Sequence, residues 1–203
     1  RLMDTFTGLK LKELAWFENP REKTLNILDV AENSVRAGAK VVTITVEIDE
    51  AADTLGVTIA DDGCGMSEEQ TAHVTDPFFT TRTTRTVGLG VPFFKQAAEL
   101  SGGSFSIVSR LGEGTAVHAV FGLRSIDRMP LGDVSGVIHD LVTFHPEMDV
   151  CYTYRFNGRA FTMDTRQFRE VLGGVRLDTP EVSDYIAAYL RENQQETDGG
   201  AVI

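Results

Sequence analysis

The stretch LNILDVAENSVRAGA, residues 25–39, combines a helical repeat with a polar stripe. Asp29, Asn33 and Arg36 recur at spacings of four and three residues, so a helix would place them on one face. A carboxylate, an amide and a guanidinium on one face could hold a metal ion and phosphates, or could form an ordinary solvated surface. The apolar residues of the stretch fall on the opposite side and predict a buried face: Ile27, Leu28, Ala31 and Val35.

The composition limits the classes of function. A chain of 203 residues with a net charge of −11 and a pI near 4.8 lacks the basic surface needed for general binding to nucleic acid or anionic membranes. No apolar run approaches the roughly 18 residues of a membrane span, and no secretory signal opens the sequence, so we expect a cytoplasmic protein. Cys64 and Cys151, with no CxxC motif, indicate neither a disulfide framework nor a zinc site.

The residue patterns predict an α+β fold. A helix entered near Asn19-Pro20 and ended at Gly38 precedes two strands of alternating apolar residues. Ser67 and Gln70 form a capping box for a short helix, which is followed by a loop, a helix and a hairpin. Hairpin-linked strands with interleaved helices predict a two-layer sandwich, in which a mainly antiparallel sheet is covered by helices on one face.

The chain changes character after Leu123. We divide it into residues 1–123, which hold the motifs discussed below, and a small α+β appendage of unknown role, residues 124–203. Asn157-Gly158 predicts a type I′ turn in a hairpin flanked by helices, and residues 196–203 read as a loose tail. We expect residues 1–123 to bind their ligand alone and the hairpin region to serve partner recognition or self-association.

Three glycine motifs lie in the first unit. DDGCGM (61–66) ends a strand with two carboxylates and two glycines, where the backbone can approach a flat ligand. VGLGV (87–91) precedes a helix, whose N-terminus attracts anions. GEGT (112–115) is most simply a hairpin turn. Each motif alone is a weak signal, because glycine turns are common.

Taken in order, these pieces resemble the ATP-binding domain shared by sensor histidine kinases, MutL-type mismatch-repair proteins, gyrase B and the large heat-shock chaperones. The resemblance covers residues 22–123. ENSVRAGAKVVTITV is most similar to the MutL version of the first helix and strand. DPFFTTR, VGLGV and SGGSFSIVSRLGEGTAV are similar to the histidine-kinase version of the other motifs.

The resemblance implies a role for each motif. Asn33 would coordinate Mg²⁺ on the triphosphate, with Arg36 facing the phosphates. Asp61 would accept a hydrogen bond from the adenine amino group, and Thr115 would support the same end through water. The remaining nucleotide contacts implied are Gly63 and Gly65, which make room for the ring, the adjoining Met66, the phosphate-binding Gly88, Leu89 and Gly90, and the lid residues Phe78, Phe79, Thr81 and Arg82.

Two departures from the family pattern bear on catalysis. The hydrolysing branches place Glu four residues before the Asn, whereas this chain has Asp29, a base one methylene shorter that predicts slow hydrolysis. The sequence upstream is too short for a phosphoacceptor helical hairpin, so we do not expect self-phosphorylation by the usual arrangement. HDLVTFHP (139–146) faintly imitates a phosphoacceptor box, but a solvated His139 at a helix end is the simpler interpretation.

The sequence therefore predicts an ATP-binding, Mg²⁺-dependent regulatory protein of the histidine-kinase-like type. Its ligands would be ATP or ADP and a separate protein partner or substrate, with a homodimer as one form of self-association. Two activities remain open. The chain could act as a kinase or slow ATPase, or ATP could gate a protein-interaction surface without phosphotransfer.

Overall fold

One six-stranded sheet organises the computed structural model, which describes residues 25–75 and 90–203. Its strands are β1 Val41–Asp49, β2 Thr54–Asp61, β3 Ser104–Arg110, β4 Gly114–Gly122, β5 Asp149–Phe156 and β6 Arg159–Asp164. The helices are α1 Ile27–Arg36, α2 Glu68–His73, α3 Gly90–Leu100, α4 Val134–Phe144, α5 Thr165–Leu172 and α6 Pro180–Asp198. The strand order in the sheet is β3-β4-β2-β1-β5-β6.

The alternation of apolar and polar residues gives the sheet one buried and one uncovered face. All neighbouring strands are antiparallel except β1 and β5, which are parallel. Because successive side chains point to opposite faces, β1 buries Val42, Ile44, Val46 and Ile48 and leaves Thr43 and Glu47 exposed. The predicted α+β fold, with a mainly antiparallel sheet covered by helices on one face, is confirmed.

Helix α1 begins later than the sequence predicted. Leu25 and Asn26 are not helical, because the Asn26 side chain accepts a hydrogen bond from the backbone N–H of Asp29 and caps the helix there. The predicted entry near Asn19-Pro20 is therefore wrong, and residues 19–24 lie outside the described part. The buried side chains of α1 are Ile27, Val30, Ala31 and Ser34, while the predicted Leu28 and Val35 are only partly buried.

The C-terminal segment extends the same sheet. Strand β5 pairs with β1 from Val41↔Asp149 to Ile48↔Phe156, and α4 and α6 pack beneath β5. In the described residues, apolar side chains from both sides of residue 124 form one core. The functional division at residue 124 stays a prediction, but a chain ending at Leu123 would expose the backbone edge of β1.

The end of the chain is anchored, contrary to the loose tail predicted for residues 196–203. Helix α6 continues to Asp198, whose buried carboxylate accepts a 2.9 Å hydrogen bond from the buried Tyr154 hydroxyl. Burial, followed by this carboxylate, raises the pKa of Tyr154 well above its ordinary value and keeps the hydroxyl a donor. Ile203 accepts a backbone hydrogen bond from Leu131 at 3.3 Å. The composition of residues 196–203 predicted a loose tail. The prediction failed because the donor that holds Asp198, the Tyr154 hydroxyl, lies 44 residues away in sequence.

We predict that Tyr154→Phe lowers the free energy of unfolding by about 1–3 kcal/mol, because it removes the donor to Oδ2 of the buried Asp198 carboxylate and leaves only the Gly200 N–H, which bonds to Oδ1. Urea titration followed by circular dichroism measures this change. Tyr185→Phe is the matched control, since the Tyr185 side chain is 60% exposed. Equal stabilities of the two variants would contradict the proposed anchoring of the C-terminus.

Candidate functional site

The carboxylate of Asp61 is held in a fixed orientation at the end of β2. Its Oδ2 accepts a 2.7 Å hydrogen bond from Ser34 Oγ on α1, and its Oδ1 accepts a 2.9 Å hydrogen bond from the backbone N–H of Gly63. Ser34 is buried, whereas Asp61 is half-buried. A carboxylate has about four acceptor sites, so Asp61 can still accept a hydrogen bond from a ligand.

The neighbouring Asp62 has a structural role. Its Oδ1 accepts hydrogen bonds from the backbone N–H groups of Lys40 at 2.7 Å and Val41 at 2.9 Å, which fixes the start of β1 to the end of β2. The hydrogen bond from Val41 is the main cause that lowers the pKa of Asp62, against a smaller opposing effect of burial. The two adjacent carboxylates therefore do different work.

The loop after Asp62 is wedged between α1 and the β3–β4 turn. A methyl group on Gly63 would lie 2.7 Å from the Cβ of Ala37, and one on Gly65 would lie 1.8 Å from the carbonyl oxygen of Arg110. Gly65 also has a positive φ of 63°. Close packing within the protein thus requires glycine at both positions. Their predicted role of making room for a ligand ring stays a prediction.

A hydroxyl pair joins this loop to the β3–β4 hairpin. Ser109 Oγ accepts a 2.8 Å hydrogen bond from the backbone N–H of Met66 and lies 2.8 Å from Thr115 Oγ1. Thr115 is directly opposite Asp61 in the β2–β4 register. The structure thus brings Asp61, Met66 and Thr115 to one end of the sheet, and their predicted contacts with a nucleotide stay a prediction.

Two of the three polar residues predicted on α1 contact each other. Asn33 is half-buried, and its Oδ1 accepts a 3.1 Å hydrogen bond from Arg36 Nη1. The Asp29 carboxylate instead accepts a short hydrogen bond from the Asn26 side chain. Asn33 and Arg36 form one polar group, and Asp29 lies at the start of the same helix.

Helix α3 brings Gly90 against the first turn of α1. A methyl group on Gly90 would lie 3.0 Å from the Cβ of Asp29, so the two backbones approach closely. Gly90 lies within α3, although the sequence predicted that VGLGV (87–91) precedes this helix. This contact places Asp29 beside the beginning of α3. The other predicted phosphate and lid residues, Gly88, Leu89, Phe78, Phe79, Thr81 and Arg82, lie outside the described residues.

The histidines of the C-terminal segment connect helices. His139 Nε2 lies 2.8 Å from Ser183 Oγ, so its imidazole bridges α4 and α6 instead of being merely solvated. His145 Nε2, after α4, lies 3.0 Å from Glu32 Oε1 on α1. His139 therefore has a packing role, and His145 ties the C-terminal segment to the helix that carries Asn33.

Two absences apply to the described residues 25–75 and 90–203. No group of His, Cys, Asp or Glu side chains there could hold a metal ion by itself. Nor does any helix in these ranges combine the length and apolar character needed to cross a membrane.

Comparison with known proteins places this geometry in a family. The profile of the histidine kinase-, DNA gyrase B- and HSP90-like ATPases matches residues 24–125, half of the chain. The chain belongs to this family. The matched region begins just before α1 and includes Asp61, Thr115 and the three glycine motifs. ATP-binding, kinase-like domains of signal transduction are thus the class to which it is related.

Several of the individual relatives are named as sensor histidine kinases. The sensor histidine kinase ZraS of Salmonella typhi is 32% identical over 97 residues, which are 47% of this chain and 21% of that protein. The sensor histidine kinase YvrG of Bacillus subtilis is 27% identical over 111 residues, 53% of this chain and 18% of that protein. Matches to the curated relatives cover between 14% and 24% of their lengths.

Two solved structures resemble this chain over part of its length. The mycobacterial sensor histidine kinase MprB is 26% identical with a TM-score of 0.37, over 47% of this chain and 66% of that chain. The N-terminal domain of a DNA repair protein is 11% identical with a TM-score of 0.47, over 67% of this chain and 50% of that chain. The family membership rests on the sequence match to residues 24–125.

The sequence analysis missed Ser34, Asp62 and Ser109. Ser34 follows Asn33 and lies seven residues after Ile27, a spacing that returns to the buried face of α1, so its burial could have been anticipated. The hydrogen bond from Ser34 to Asp61 could not have been anticipated, because Asp61 lies 27 residues away in sequence. Asp62 and Ser109 likewise depend on contacts between separate strands.

We predict that Asp62→Asn destabilises the protein at neutral pH and has no effect in strong acid. The pKa of Asp62 is lowered in the folded state, so its stabilisation is present above its unfolded pKa of about 4 and is lost as pH falls through the folded value. Urea titrations of both proteins from pH 7 to pH 2 measure the difference in unfolding free energy. The exposed Asp127, changed to Asn, is the control. A difference in unfolding free energy that does not depend on pH would contradict the stabilising role of the Asp62 carboxylate.

Proposed function

We propose that this chain is an ATP-binding regulatory protein that requires Mg²⁺ and acts on or with a separate protein partner. The observation that carries this proposal is the oriented carboxylate of Asp61, held by Ser34 and Gly63. In a member of this ATPase family, it is the group suited to recognise the adenine amino group. Family membership and the match to sensor kinases support the regulatory assignment.

The residues near Asp61 fit the edge of an adenine ring. Asp61 is an acceptor, which suits the exocyclic amino group, a donor. Thr115, opposite Asp61 in the sheet, presents a hydroxyl that can both donate and accept, either directly or through water. Hydrogen bonds within the protein already orient both groups, so little side-chain entropy remains to be lost on binding.

The other end of the site fits a triphosphate with its metal ion. Asn33 offers an amide oxygen, a ligand type that Mg²⁺ accepts, and Mg²⁺ commonly keeps water and phosphate oxygens as its other ligands. Arg36, which contacts Asn33, supplies positive charge in a chain of net charge −11. Bound Mg²⁺ would neutralise phosphate charge. Asn33 would hold the metal, Arg36 the phosphates, and Gly90 and the preceding Gly88 and Leu89 would donate backbone N–H groups.

Slow ATP hydrolysis is the activity that a specific contact favours. Asp29 lies against Gly90 at the start of α3, beside the proposed phosphate site. Its carboxylate is one methylene shorter than the Glu of the hydrolysing branches, so it would reach an attacking water less readily. Phosphotransfer to a protein substrate is the second activity, supported by the sensor-kinase relatives.

We predict that Asp61→Asn weakens ATP binding by about 30- to 150-fold, because a half-buried, charged acceptor for adenine becomes in part a donor. Ser34→Ala should weaken binding by about 2- to 10-fold, since it frees Asp61 to rotate but keeps its charge. Isothermal titration calorimetry with ATP and Mg²⁺ measures both effects. Asp127→Asn is the control with unchanged net charge relative to Asp61→Asn. Unchanged affinity in Asp61→Asn would refute the nucleotide assignment.

We predict that Asp29→Glu accelerates ATP hydrolysis and that Asp29→Asn abolishes it. General-base catalysis typically contributes ~10² to 10⁴-fold, so even partial gains are measurable by phosphate release. Affinity for ATP should change little in either variant, because adenine and metal contacts are assigned to Asp61 and Asn33. Equal turnover in the two variants would show that Asp29 is not the base.

The same reaction with γ-labelled ATP distinguishes the remaining activities. Label transferred to a protein of a whole-cell extract, and lost with Asn33→Ala, would support the kinase. Label released only as phosphate would support the ATPase. If ATP binds but neither outcome is observed, the kinase and ATPase assignments would both be rejected in favour of a nucleotide-gated interaction module.

A further inference from the structure

Strand β6 forms an open edge of the sheet. It pairs with β5 in continuous register from Phe156↔Arg159 to Cys151↔Asp164, and no other described strand pairs with its outer side. Natural proteins usually protect such edges with proline, lysine, a bulge or an inward-pointing charge. The sequence RAFTMD has no proline or lysine, and its register contains no bulge. This edge is therefore competent to pair with another strand.

The turn geometry determines which backbone groups face outward. Asn157 and Gly158 both have positive φ, 49° and 82°, as in a type I′ turn. The residues that flank such a two-residue turn exchange both hydrogen bonds, and the pattern then alternates along the antiparallel pair. Phe161 and Met163 thus bond to β5, whereas the peptide groups of Ala160 and Thr162 point away from the sheet.

This alternation permits one symmetrical antiparallel pairing of β6 with itself. Outward-facing groups must meet, which places Thr162 opposite Thr162 of the second copy and Ala160 opposite Asp164 of the second copy. The same register places Phe161 opposite Met163 of the second copy on the covered face. That pair is apolar. Phe161 is only partly buried in the single chain and could bury more surface, whereas Met163 is already buried.

An exposed apolar patch adjoins this edge in the helical layer. Ser183 and Gln194 of α6 bond to side chains on α4, so the other flank of α6 faces the β6 side. That flank carries Tyr185, which is 60% exposed, and Tyr189. Both rings contact Phe168 of α5, with centroids 6.2 Å and 5.4 Å away. Val171 of α5 is 85% exposed.

The charges at the edge allow two copies to approach. The whole chain has a net charge of −11, which disfavours self-association elsewhere. At β6, Asp164 is neutralised by a 2.6 Å ion pair with Arg166, and Arg159 is exposed at the other end of the strand. The edge is therefore free of the negative excess that characterises the rest of the protein.

We propose that two copies of this chain associate through β6, in an antiparallel pairing with Thr162 on the two-fold axis. The two sheets then form one continuous sheet, and the patch of Phe168, Val171, Tyr185 and Tyr189 borders the interface. The occupant of this edge is a second copy because the strand is self-complementary in register, side-chain type and charge. This inference is independent of nucleotide binding.

Cysteine cross-linking tests the register in the chain of 203 residues. In a background that carries both Cys64→Ser and Cys151→Ser, Thr162→Cys should form a disulfide-linked dimer under mild oxidation, because facing residues of this kind have Cα atoms about 5.5 Å apart. Ala160→Cys is the matched control. It should not cross-link, because residues 160 of the two copies lie four residues apart along the pairing and well beyond the roughly 7 Å limit. Equal cross-linking of the two variants, or none, would overturn the proposed pairing.

Sedimentation equilibrium tests the association itself. Ala160→Asp places a carboxylate opposite Asp164 of the second copy. The symmetry of the dimer creates this repulsive pair two times, so the dimer dissociation constant should rise by about 2- to 30-fold. Ala160→Lys, of opposite charge, should leave it unchanged or lower it. A monomer at every concentration, or equal dissociation constants for the two variants, would refute the dimer and assign this edge to another occupant. Circular dichroism verifies that each variant is folded.

Discussion

The hydrogen bond from Ser34 to Asp61 links the two layers of the fold at the functional site. It joins a buried hydroxyl on α1 to a carboxylate at the end of β2. Ser34 can reach this position only because Ile27, Val30 and Ala31 anchor α1 on the sheet. A shift of α1 would therefore move Asn33 and Arg36, and it would also break the hydrogen bond that orients Asp61. The packing of α1 on the sheet thus fixes both the core and the positions of the polar side chains at the candidate site.

The adjacent carboxylates of DDGCGM show how burial and hydrogen bonding separate similar residues. Asp61 is fixed by the Ser34 side chain and by one backbone N–H, and it can still accept a further hydrogen bond. Asp62 instead accepts hydrogen bonds from the backbone N–H groups of Lys40 and Val41 at the start of β1. The glycines that follow are required by close backbone approach to Ala37 and Arg110. One loop therefore carries both the proposed adenine acceptor, Asp61, and the contacts of Asp62 that join β1 to β2.

The C-terminal segment shares the sheet and core of the ATPase-family region. Strand β5 completes the hydrogen bonding of β1, and His145 contacts Glu32 one residue before Asn33. A partner bound on α5 or α6, or a second copy on β6, would thus act on the element that carries the proposed metal ligand. Such a connection supplies a physical route between an interaction surface and a nucleotide site, as a regulatory protein needs.

The sequence by itself determined the local elements and the residue types at the site. The period of two in β1 and β2, the capping box of Ser67 and Gln70, and the turn at Asn157-Gly158 depend on neighbouring residues, and the structure contains all three. The order of the glycine motifs sufficed to identify the family. Asp61, Met66 and Thr115 lie together at one end of the sheet, and their role in nucleotide binding stays a prediction.

Only the tertiary structure decided which partners these residues meet. The addition of β5 beside β1, the anchoring of Asp198 by Tyr154, and the bond from Ser34 to Asp61 join residues far apart in sequence. No local pattern encodes such pairs, because they depend on how whole elements pack. The same reason explains why residues 196–203 were taken for a tail and why Gly63 and Gly65 were assigned only to the ligand. Burial and long-range hydrogen bonding, which no local window contains, fixed both.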